Sequence, residues 1–415
     1  MTRKTFLIAM FGVMVQYYDH HLFGFLAAKI SVYFLPDSDP IIQLLNTYFI
    51  MAIAVAAKPI GALTLGRIGD LYGRSTTLTI SLLGTAVASL VVSLTPGYSH
   101  IGILSAVILL VTRMCTSAFA SSGTDGVRLF IYERIGKNKQ CLGNGLVTSS
   151  TLLGSFIASM SAWFFTLDMM PPYAWRASFL LGSIMGVGMV LVRRHFRAQD
   201  DDSTVNEPGY DAFKNVPIWV LIKENWELFV TCLFVAGAIG STNQFYIIFF
   251  GTYNFNVLGV IEQSTMQFYT SIAIVLYMIF AIVGGLAADY FGRKAINSLA
   301  FFALLILTIA TILSLSHGKT DYSLFFASNI ALPFLNVTAL AFLKQSIPIV
   351  IRYRIFSLAH AVGSICISTP TAFISTYMYH KTGLVWLPMV YFLVSISIIV
   401  VGVNILCRRY RANKY

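Results

Sequence analysis

Residues 66–74 read Gly-Arg-Ile-Gly-Asp-Leu-Tyr-Gly-Arg and lie between two long apolar runs. Residues 285–294 read Gly-Leu-Ala-Ala-Asp-Tyr-Phe-Gly-Arg-Lys and also join two apolar runs. Both stretches fit the pattern Gly-x-x-x-Asp-x-x-Gly-Arg, and Asp70 and Asp289 are separated by about half of the 415-residue chain. A short loop that recurs after half a chain of apolar runs indicates a duplicated carrier fold, whose two halves can rock around a central cavity.

The composition indicates a membrane protein. The chain is 57% hydrophobic and only 11% charged, with a mean hydropathy of +0.75, whereas about a quarter of the residues of a typical soluble protein are charged. The net charge of +11 is divided into small clusters between apolar runs, unlike the continuous basic stripe of a nucleic-acid-binding protein. We therefore expect a lipid bilayer around the chain and no nucleic-acid partner.

No cofactor, metal site or catalytic residue is predicted. The five cysteines stand singly without CxxC spacing, which argues against a disulfide framework or a zinc site. The sequence has no P-loop, no HExxH and no Ser/His/Asp arrangement, so an enzyme is not expected. The first apolar run carries an aspartate and two histidines and is too long for a signal peptide, so it is interpreted as a retained span.

Twelve apolar runs are long enough to cross about 30 Å of hydrocarbon. They are predicted to be helices, because backbone groups in lipid must be satisfied internally. One long hydrophilic stretch separates six spans from six, which predicts an N-terminal six-helix bundle at 1–194, a cytoplasmic linker at 195–225 and a C-terminal six-helix bundle at 226–415. The predicted spans are 6–34, 42–66, 76–95, 101–132, 143–166, 174–194, 226–250, 264–288, 296–316, 322–345, 355–379 and 384–408.

The basic residues predict the orientation. With twelve spans, the termini and the loops after even-numbered spans share one side, and this side carries nearly all Lys and Arg residues outside the spans. Such loops are typically cytoplasmic. Both termini and the linker are therefore predicted to be cytoplasmic, in a multi-pass protein of a bacterial inner membrane that we expect to be a monomer.

The paired loops, the six-plus-six layout and the central linker resemble the major facilitator superfamily of secondary transporters. Within it, the first half of the chain is similar to the metabolite:proton symporters of the proline/betaine type, and stretches of the second half also fit. This resemblance implies an all-α membrane fold with about twelve transmembrane helices in two pseudo-symmetric bundles. The stretches that carry the closer similarity are Tyr18-Asp19-x-x-Leu22-Phe23-Gly24-Phe25, Phe34-Leu35-Pro36, Asp39-Pro40, Pro59-Ile60-Gly61, Tyr98-x-x-Ile101-Gly102, Trp175-Arg176 and Thr242-Asn243.

Two departures from the resembling subfamily leave the substrate open. Its fourth span usually continues from a basic residue to a glutamate inside the membrane. Here Arg113 is followed by Ser121-Ser122-Gly123, and the nearest acid is Asp125. In addition, Lys58 precedes Pro59 where the family more often has arginine.

The repeated loops are predicted to gate the carrier. Glycine allows helix ends to approach closely and turn sharply, and each aspartate can accept N–H groups of a helix N-terminus or pair with the following arginine. The resemblance implies that this contact closes the cytoplasmic side in the outward-facing state. The alternative is that these residues only form a turn in solvent, and the recurrence of the motif after half of the chain argues against it. The predicted gating residues are Gly66, Asp70, Gly73, Arg74, Gly285, Asp289, Gly292 and Arg293.

The first span carries the predicted proton site. Asp19 lies ~20 Å along the helix, near the bilayer centre, where a carboxylate is costly and exchanges a proton readily unless a cation pairs with it. Gln16 lies one turn earlier on the same face. His20 and His21 point to other faces, so at most one can share the environment of Asp19. A histidine there is either a proton relay or a neutral ring bonded to a neighbouring helix.

The fourth span supplies the predicted basic partner. Arg113 lies deep in the apolar run and needs an acceptor, either a carboxylate or a substrate oxygen. Asp19 is the predicted carboxylate, because the resemblance places the first and fourth spans around the cavity. Asp125 and Arg128 are three positions apart and are predicted to form a structural or gating pair.

The seventh span places polar groups beside aromatic rings. Asn243 and Tyr246 suit a zwitterion or an organic acid, and the ring could contact a quaternary ammonium; contacts between helices would explain the same residues. Lys344 and His360 are expected near span ends, where a lysine can extend to the interface. The predicted substrate and proton residues are Asp19, His20, Gln16, Arg113, Asn243 and Tyr246.

The predicted function is secondary active transport of a small polar metabolite, which is an osmolyte, an amino acid, a betaine or an organic acid. Proton-coupled alternating access is the predicted mechanism, with the small-molecule substrate and protons as binding partners. An exporter of drugs or siderophores on the same fold is the alternative. Substrate identity, direction of flux and the coupling ion are left open.

Overall fold

The computed structural model describes residues 3–36, 39–61, 64–65, 74–196, 216 and 218–412. Across these ranges the secondary structure is helical, with no strand. Nine of the described helices are long and apolar enough to cross a membrane, and Thr79–Leu94 and Arg176–Val192 are shorter apolar helices. The predicted all-α membrane fold is confirmed.

Six helical segments, numbered here as spans, form the first half, and span 1 is not among the eleven apolar helices just counted in the described residues. Span 1 is interrupted at Leu26, and span 2 continues through a 3₁₀ turn at Val55–Ala57. Their bounds agree with the predicted runs to within a few residues. The spans are span 1, Arg3–Phe25 and Ala27–Phe34; span 2, Pro40–Gly61; span 3, Arg74–Leu94; span 4, Ile103–Arg134; span 5, Gln140–Phe165; and span 6, Arg176–Phe196.

Six further spans form the second half. Spans 7 and 11 contain π-helical turns at Phe245–Phe249, Tyr253–Val257 and Ser364–Ser368, which the apolar periodicity does not predict. Most of the predicted linker, 195–225, lies outside the described residues. The spans are span 7, Trp226–Val257; span 8, Gln263–Phe291; span 9, Arg293–Ser316; span 10, Tyr322–Ser346; span 11, Ile349–Gly363, Ser364–Ser368 and Thr371–Thr382; and span 12, Pro388–Ala412.

Close helix crossings repeat between the halves. Gly154 of span 5 lies against the backbone of Met14 in span 1, and Gly237 of span 7 lies against the backbone of Gly363 in span 11. Spans 1 and 5 therefore pair as spans 7 and 11 do, six spans later. Small residues permit such backbone contact, which drives helix association in lipid. The repeat is consistent with two pseudo-symmetric bundles.

Spans 5 and 8 join the two bundles. A Cβ atom at Gly285 would lie 2.6 Å from the carbonyl oxygen of Cys141. Further along the same interface, Ser159 Oγ lies 2.6 Å from Ser271 Oγ. The spans therefore touch along much of their length. We call the end of the molecule where span 1 begins and span 12 ends the terminal end; the start of span 5 and the end of span 8 lie there.

Candidate functional site

A buried ion pair connects spans 1 and 4. Arg113 Nη1 lies 3.4 Å from Asp19 Oδ2, and Arg113 and Asp19 are 5% and 4% exposed. Ser89 of span 3 donates a hydrogen bond to the other carboxylate oxygen. The predicted contact between the acid and the base is therefore present. Because both side chains are buried, each charge depends on the other for compensation.

The guanidinium of Arg113 is only partly satisfied. Its Nε and Nη2 atoms are buried and have no acceptor among the described residues. The rings of Phe23 and Phe179 lie 5.1 and 5.7 Å from its central carbon. Cation–π contact replaces part of the missing hydrogen bonding.

A second charged cluster lies further along span 4. His360 Nδ1 of span 11 is 2.8 Å from Asp125 Oδ2, and Arg128 Nη1 is 3.5 Å from Asp125 Oδ1. Arg128 also donates a hydrogen bond to the Tyr17 hydroxyl of span 1. Asp125 thus has one partner on its own helix and one in the other bundle.

A cavity extends between the two charged clusters. The volume open to the centres of water molecules is about 80 Å³, and a single water needs only about 10–15 Å³ by that measure. Arg113 and Asp125 are twelve positions apart on span 4, or about 18 Å along the helix axis. Spans 1, 2, 4 and 11 form the walls. The polar and charged side chains of the lining are Gln16, Tyr17, His20, Lys58, Arg113, Thr116, Ser117, Ser121, Asp125 and His360.

The structure brings three of the predicted substrate and proton residues to this cavity. Gln16, His20 and Arg113 line it, and Asp19 contacts it through Arg113. His20 Nε2 lies 3.3 Å from Gln244 Nε2 of span 7, which is a contact between the bundles. The adjacent His21 faces elsewhere, as its helical position requires, and bonds to another span of the same bundle.

Asn243 and Tyr246 of span 7 are not among the lining residues. Asn243 Oδ1 accepts hydrogen bonds from Tyr277 Oη at 2.9 Å and from Asn336 Nδ2 at 3.4 Å. The ring of Tyr246 packs against Phe392, with 4.8 Å between ring centroids. This placement favours the alternative interpretation, contacts between helices. Sequence alone does not reveal which neighbouring span a polar face meets.

The expectation that Lys344 extends to the interface is wrong. The residue is 1% exposed, and its Nζ donates to Asn144 Oδ1 at 2.6 Å and to the carbonyl oxygen of Arg128 at 3.3 Å. Both acceptors belong to the first bundle, so Lys344 bridges the bundles. A buried ammonium needs such acceptors, and they come from spans distant in sequence.

Two of the cavity residues, Lys58 and His360, were not predicted as site residues from the sequence. His360 was expected near a span end, yet it reaches the cavity wall and Asp125. Lys58 was noted only as a departure from the resembling family. The available signal was that an ionisable residue inside a span is a functional candidate by default.

The second repeated loop connects the bundles at the terminal end. The Asp289 carboxylate accepts the N–H groups of Cys141 and Leu142, at the start of span 5, at 3.2 and 2.9 Å. Arg293 Nη2 lies 3.8 Å from Asp289. Gly292 has a φ of +97°, and this left-handed conformation favours glycine at the sharp turn into span 9.

The first repeated loop lies almost entirely outside the described residues. Gly66, Asp70 and Gly73 lie outside the described residues, and so does the side chain of Arg74. Their gating role stays a prediction.

Metal and thiol chemistry find no support in the described part of the chain. It contains no group of three or more His, Cys, Asp or Glu residues that could hold a metal ion. The five cysteines are free thiols.

A sequence model described as Major Facilitator Superfamily matches residues 6–348. A Staphylococcus haemolyticus protein named provisionally as a proline/betaine transporter is 25% identical over 407 residues, which cover 96% of this chain and 86% of that protein. The inner membrane metabolite transport protein YhjE of Escherichia coli is 24% identical, with 92% and 89% covered. The glycine betaine/proline/ectoine/pipecolic acid transporter OusA of Dickeya dadantii is 25% identical, with 96% and 81% covered.

Solved structures share the fold. A D-xylose-proton symporter superposes with a TM-score of 0.69 at 14% identity, covering 95% of this chain and 96% of that one. The proton:xylose symporter XylE bound to 6-bromo-6-deoxy-D-glucose gives 0.71 at 13% identity, with 97% and 94% covered. At such low identity the similarity concerns the architecture.

Proposed function

The chain belongs to the Major Facilitator Superfamily, and on that premise we propose that it is a secondary active transporter, coupled to protons, for a small polar metabolite. The observation that carries the proposal is the buried pair of Asp19 and Arg113 on a cavity beside the contact between two bundles. Relatives named for transport of proline, betaine and ectoine support a small polar substrate.

The proposed coupling uses Asp19 as the proton acceptor. A proton on its carboxylate removes the negative charge that holds Arg113 at 3.4 Å. The guanidinium, which already has two unsatisfied nitrogens, then needs an acceptor from the cavity. Protonation therefore favours binding of a substrate oxygen, which links the two events in free energy.

Alternating access requires the contacts between the bundles to break at one end while others hold. At the terminal end these contacts include Asp289 with the start of span 5, Lys344 with Asn144, and His360 with Asp125. Opening there separates all three. The substrate and the proton would shift the equilibrium between the states that are open and closed at the terminal end, because each binds these two states with different affinity.

The size and polarity of the cavity favour a metabolite over a drug or a siderophore. About 80 Å³ is open to the centres of water molecules, and the lining carries two cationic side chains, two histidines and an acid. An exporter of large apolar compounds would need a larger and more apolar cavity.

Uptake into proteoliposomes under an imposed pH gradient tests the coupling. We expect accumulation of a labelled metabolite when the interior is alkaline, and its collapse with a protonophore. Asp19→Asn should abolish accumulation but retain exchange of labelled for unlabelled substrate. Asp168→Asn, which changes an exposed loop residue, is the matched control. Accumulation that ignores the gradient would refute proton coupling.

The proposed location is the bacterial inner membrane with both termini in the cytoplasm. Asn138 follows span 4, and Met169 follows span 5, so the two loops lie on opposite sides. In intact cells, Met169→Cys should react with an impermeant thiol reagent and Asn138→Cys should not. The reverse pattern would overturn the orientation.

A further inference from the structure

We infer that the substrate is a small organic anion and that its carboxylate binds the ammonium group of Lys58. This inference rests on the proposed transport function and narrows its substrate class, because betaines and other net-neutral or cationic solutes are excluded.

Lys58 is an ammonium on the cavity wall that no carboxylate of the described residues contacts directly; Asp125 attracts it and Arg128 repels it over a longer distance. It lies near the end of span 2 and lines the cavity. It makes no hydrogen bond or ion pair within the part of the chain that the structure describes. A charge inside a span is costly unless an opposite charge or a water-filled site compensates it. A ligand carboxylate in the cavity would supply that compensation.

The other charges around the cavity are already compensated. Arg113 pairs with Asp19, and Asp125 pairs with both Arg128 and His360. With neutral histidines, these pairs sum to zero, so the positive charge of Lys58 remains. The electrostatic potential of the cavity therefore favours a net negative solute.

The acids and aromatic rings that could bind a cationic group of the substrate already contact side chains of the protein. Both acids next to the cavity, Asp19 and Asp125, are engaged as described. An aromatic face is the other usual site for a quaternary ammonium. Here the ring of Phe23 faces Arg113 at 5.1 Å, and the ring of Tyr17 faces Arg128 at 5.4 Å. Guanidinium groups thus already occupy the rings that a betaine would use.

Thermal unfolding of the purified full-length chain tests this inference. The probes are lactate and succinate as anions, glycine betaine as a zwitterion and choline as a cation, all at equal ionic strength. We expect at least one anion to raise the melting temperature in proportion to its concentration, while glycine betaine and choline do not. Stronger protection by glycine betaine or choline, or no protection by either anion, would overturn the inference.

Variants of Lys58 locate the binding site. Lys58→Met removes the charge at similar volume and should weaken the protecting anion by more than about tenfold, since it deletes one member of a desolvated charge pair. Lys58→Arg should retain binding. Lys29→Met, on an exposed face of span 1, is the matched control. Undiminished anion protection in a folded Lys58→Met protein would refute the assignment. If Lys58→Met does not fold, the assignment would instead be refuted by loss of anion protection in Lys29→Met or in Lys58→Arg.

This inference and the proposed function can fail separately. Gradient-driven accumulation of glycine betaine, without binding of lactate or succinate, would support the proposed transport function and refute the assignment of an anionic substrate. Binding of an anion through Lys58, without any accumulation under a pH gradient, would support the assignment of the Lys58 site and refute proton-coupled transport.

Discussion

His360 Nδ1 lies 2.8 Å from Asp125 Oδ2, and this contact ties span 11 of the second bundle to span 4 of the first. Arg128, three positions beyond Asp125 on the same helix, lies 3.5 Å from the other carboxylate oxygen. A motion that separates the bundles removes His360 but carries Arg128 along with Asp125. The carboxylate therefore keeps one counter-charge in both arrangements.

This asymmetry predicts unequal effects of the two partners. His360→Ala removes a contact between the bundles but leaves Asp125 paired, so we expect a loss of about 1 kcal/mol in the free energy of unfolding. Arg128→Met removes the arginine counter-charge of Asp125 and should cost about 3 kcal/mol, because a buried carboxylate is then left with a histidine in place of a permanent cation. Thermal unfolding in detergent measures both. A larger loss for His360→Ala would contradict this account.

The pair of Asp19 and Arg113 predicts a non-additive double variant. Arg113→Leu leaves the Asp19 carboxylate buried without its cation, which should cost about 3–5 kcal/mol. Adding Asp19→Asn removes that uncompensated charge and should recover part of the stability, although coupled uptake stays lost. Melting temperatures of the four proteins complete the cycle. Additive losses would show that the two side chains do not depend on each other.

Asp289 is expected to hold the terminal end closed. Asp289→Ala removes the acceptor of two N–H groups at the start of span 5, and we expect a loss of about 2 kcal/mol, since hydrogen bonds to charged groups are stronger than neutral ones. Hydrogen exchange at the amides of Cys141 and Leu142 should become faster. Asp168→Ala, in an exposed loop, should change neither quantity. Unchanged exchange in Asp289→Ala would argue against the predicted gating role.

Two glycine-to-alanine substitutions separate helix propensity from helix contact. At Gly188 of span 6 an added Cβ meets nothing within 4 Å, so Gly188→Ala should stabilise by up to about 1 kcal/mol through helix propensity. At Gly285 the added Cβ would lie 2.6 Å from the Cys141 carbonyl oxygen, and overpacking should cost about 1–3 kcal/mol. Equal melting temperatures for the two variants would show that spans 5 and 8 are not tightly apposed.

The repeated loops were predictable in part because their chemistry is local. Gly292 predicted a sharp turn, whose backbone conformation other residues adopt poorly. Asp289 predicted an acceptor for the N–H groups at the start of a helix. Which helix Asp289 caps was not local information. The start of span 5 lies on the other side of the contact between the bundles, nearly 150 positions earlier.

The pairing of Asp19 with Arg113 was predicted because each residue is ionisable within an apolar run and needs a counter-charge there, and because the family resemblance places the first and fourth spans around the cavity. The same rule applied to Lys58, Lys344 and His360, yet it did not identify their partners. Lys344 donates to acceptors on the first bundle and His360 contacts Asp125, whereas Lys58 makes no hydrogen bond or ion pair among the described residues and interacts with Asp125 only over a longer distance. Charge compensation is a property of neighbours in space, which the apolar pattern does not specify.

The sequence by itself determined that the chain is a helical membrane protein of two related halves, because hydrophobic length and backbone hydrogen bonding leave lipid-embedded segments few alternatives. Only the tertiary structure decided which faces of the spans meet. It placed Asn243 and Tyr246 among helix contacts and brought Lys58 and His360 to the cavity wall. The reason is physical: lipid and a neighbouring helix accept the same apolar surface, so the choice between them depends on close packing and on polar contacts across the bundle.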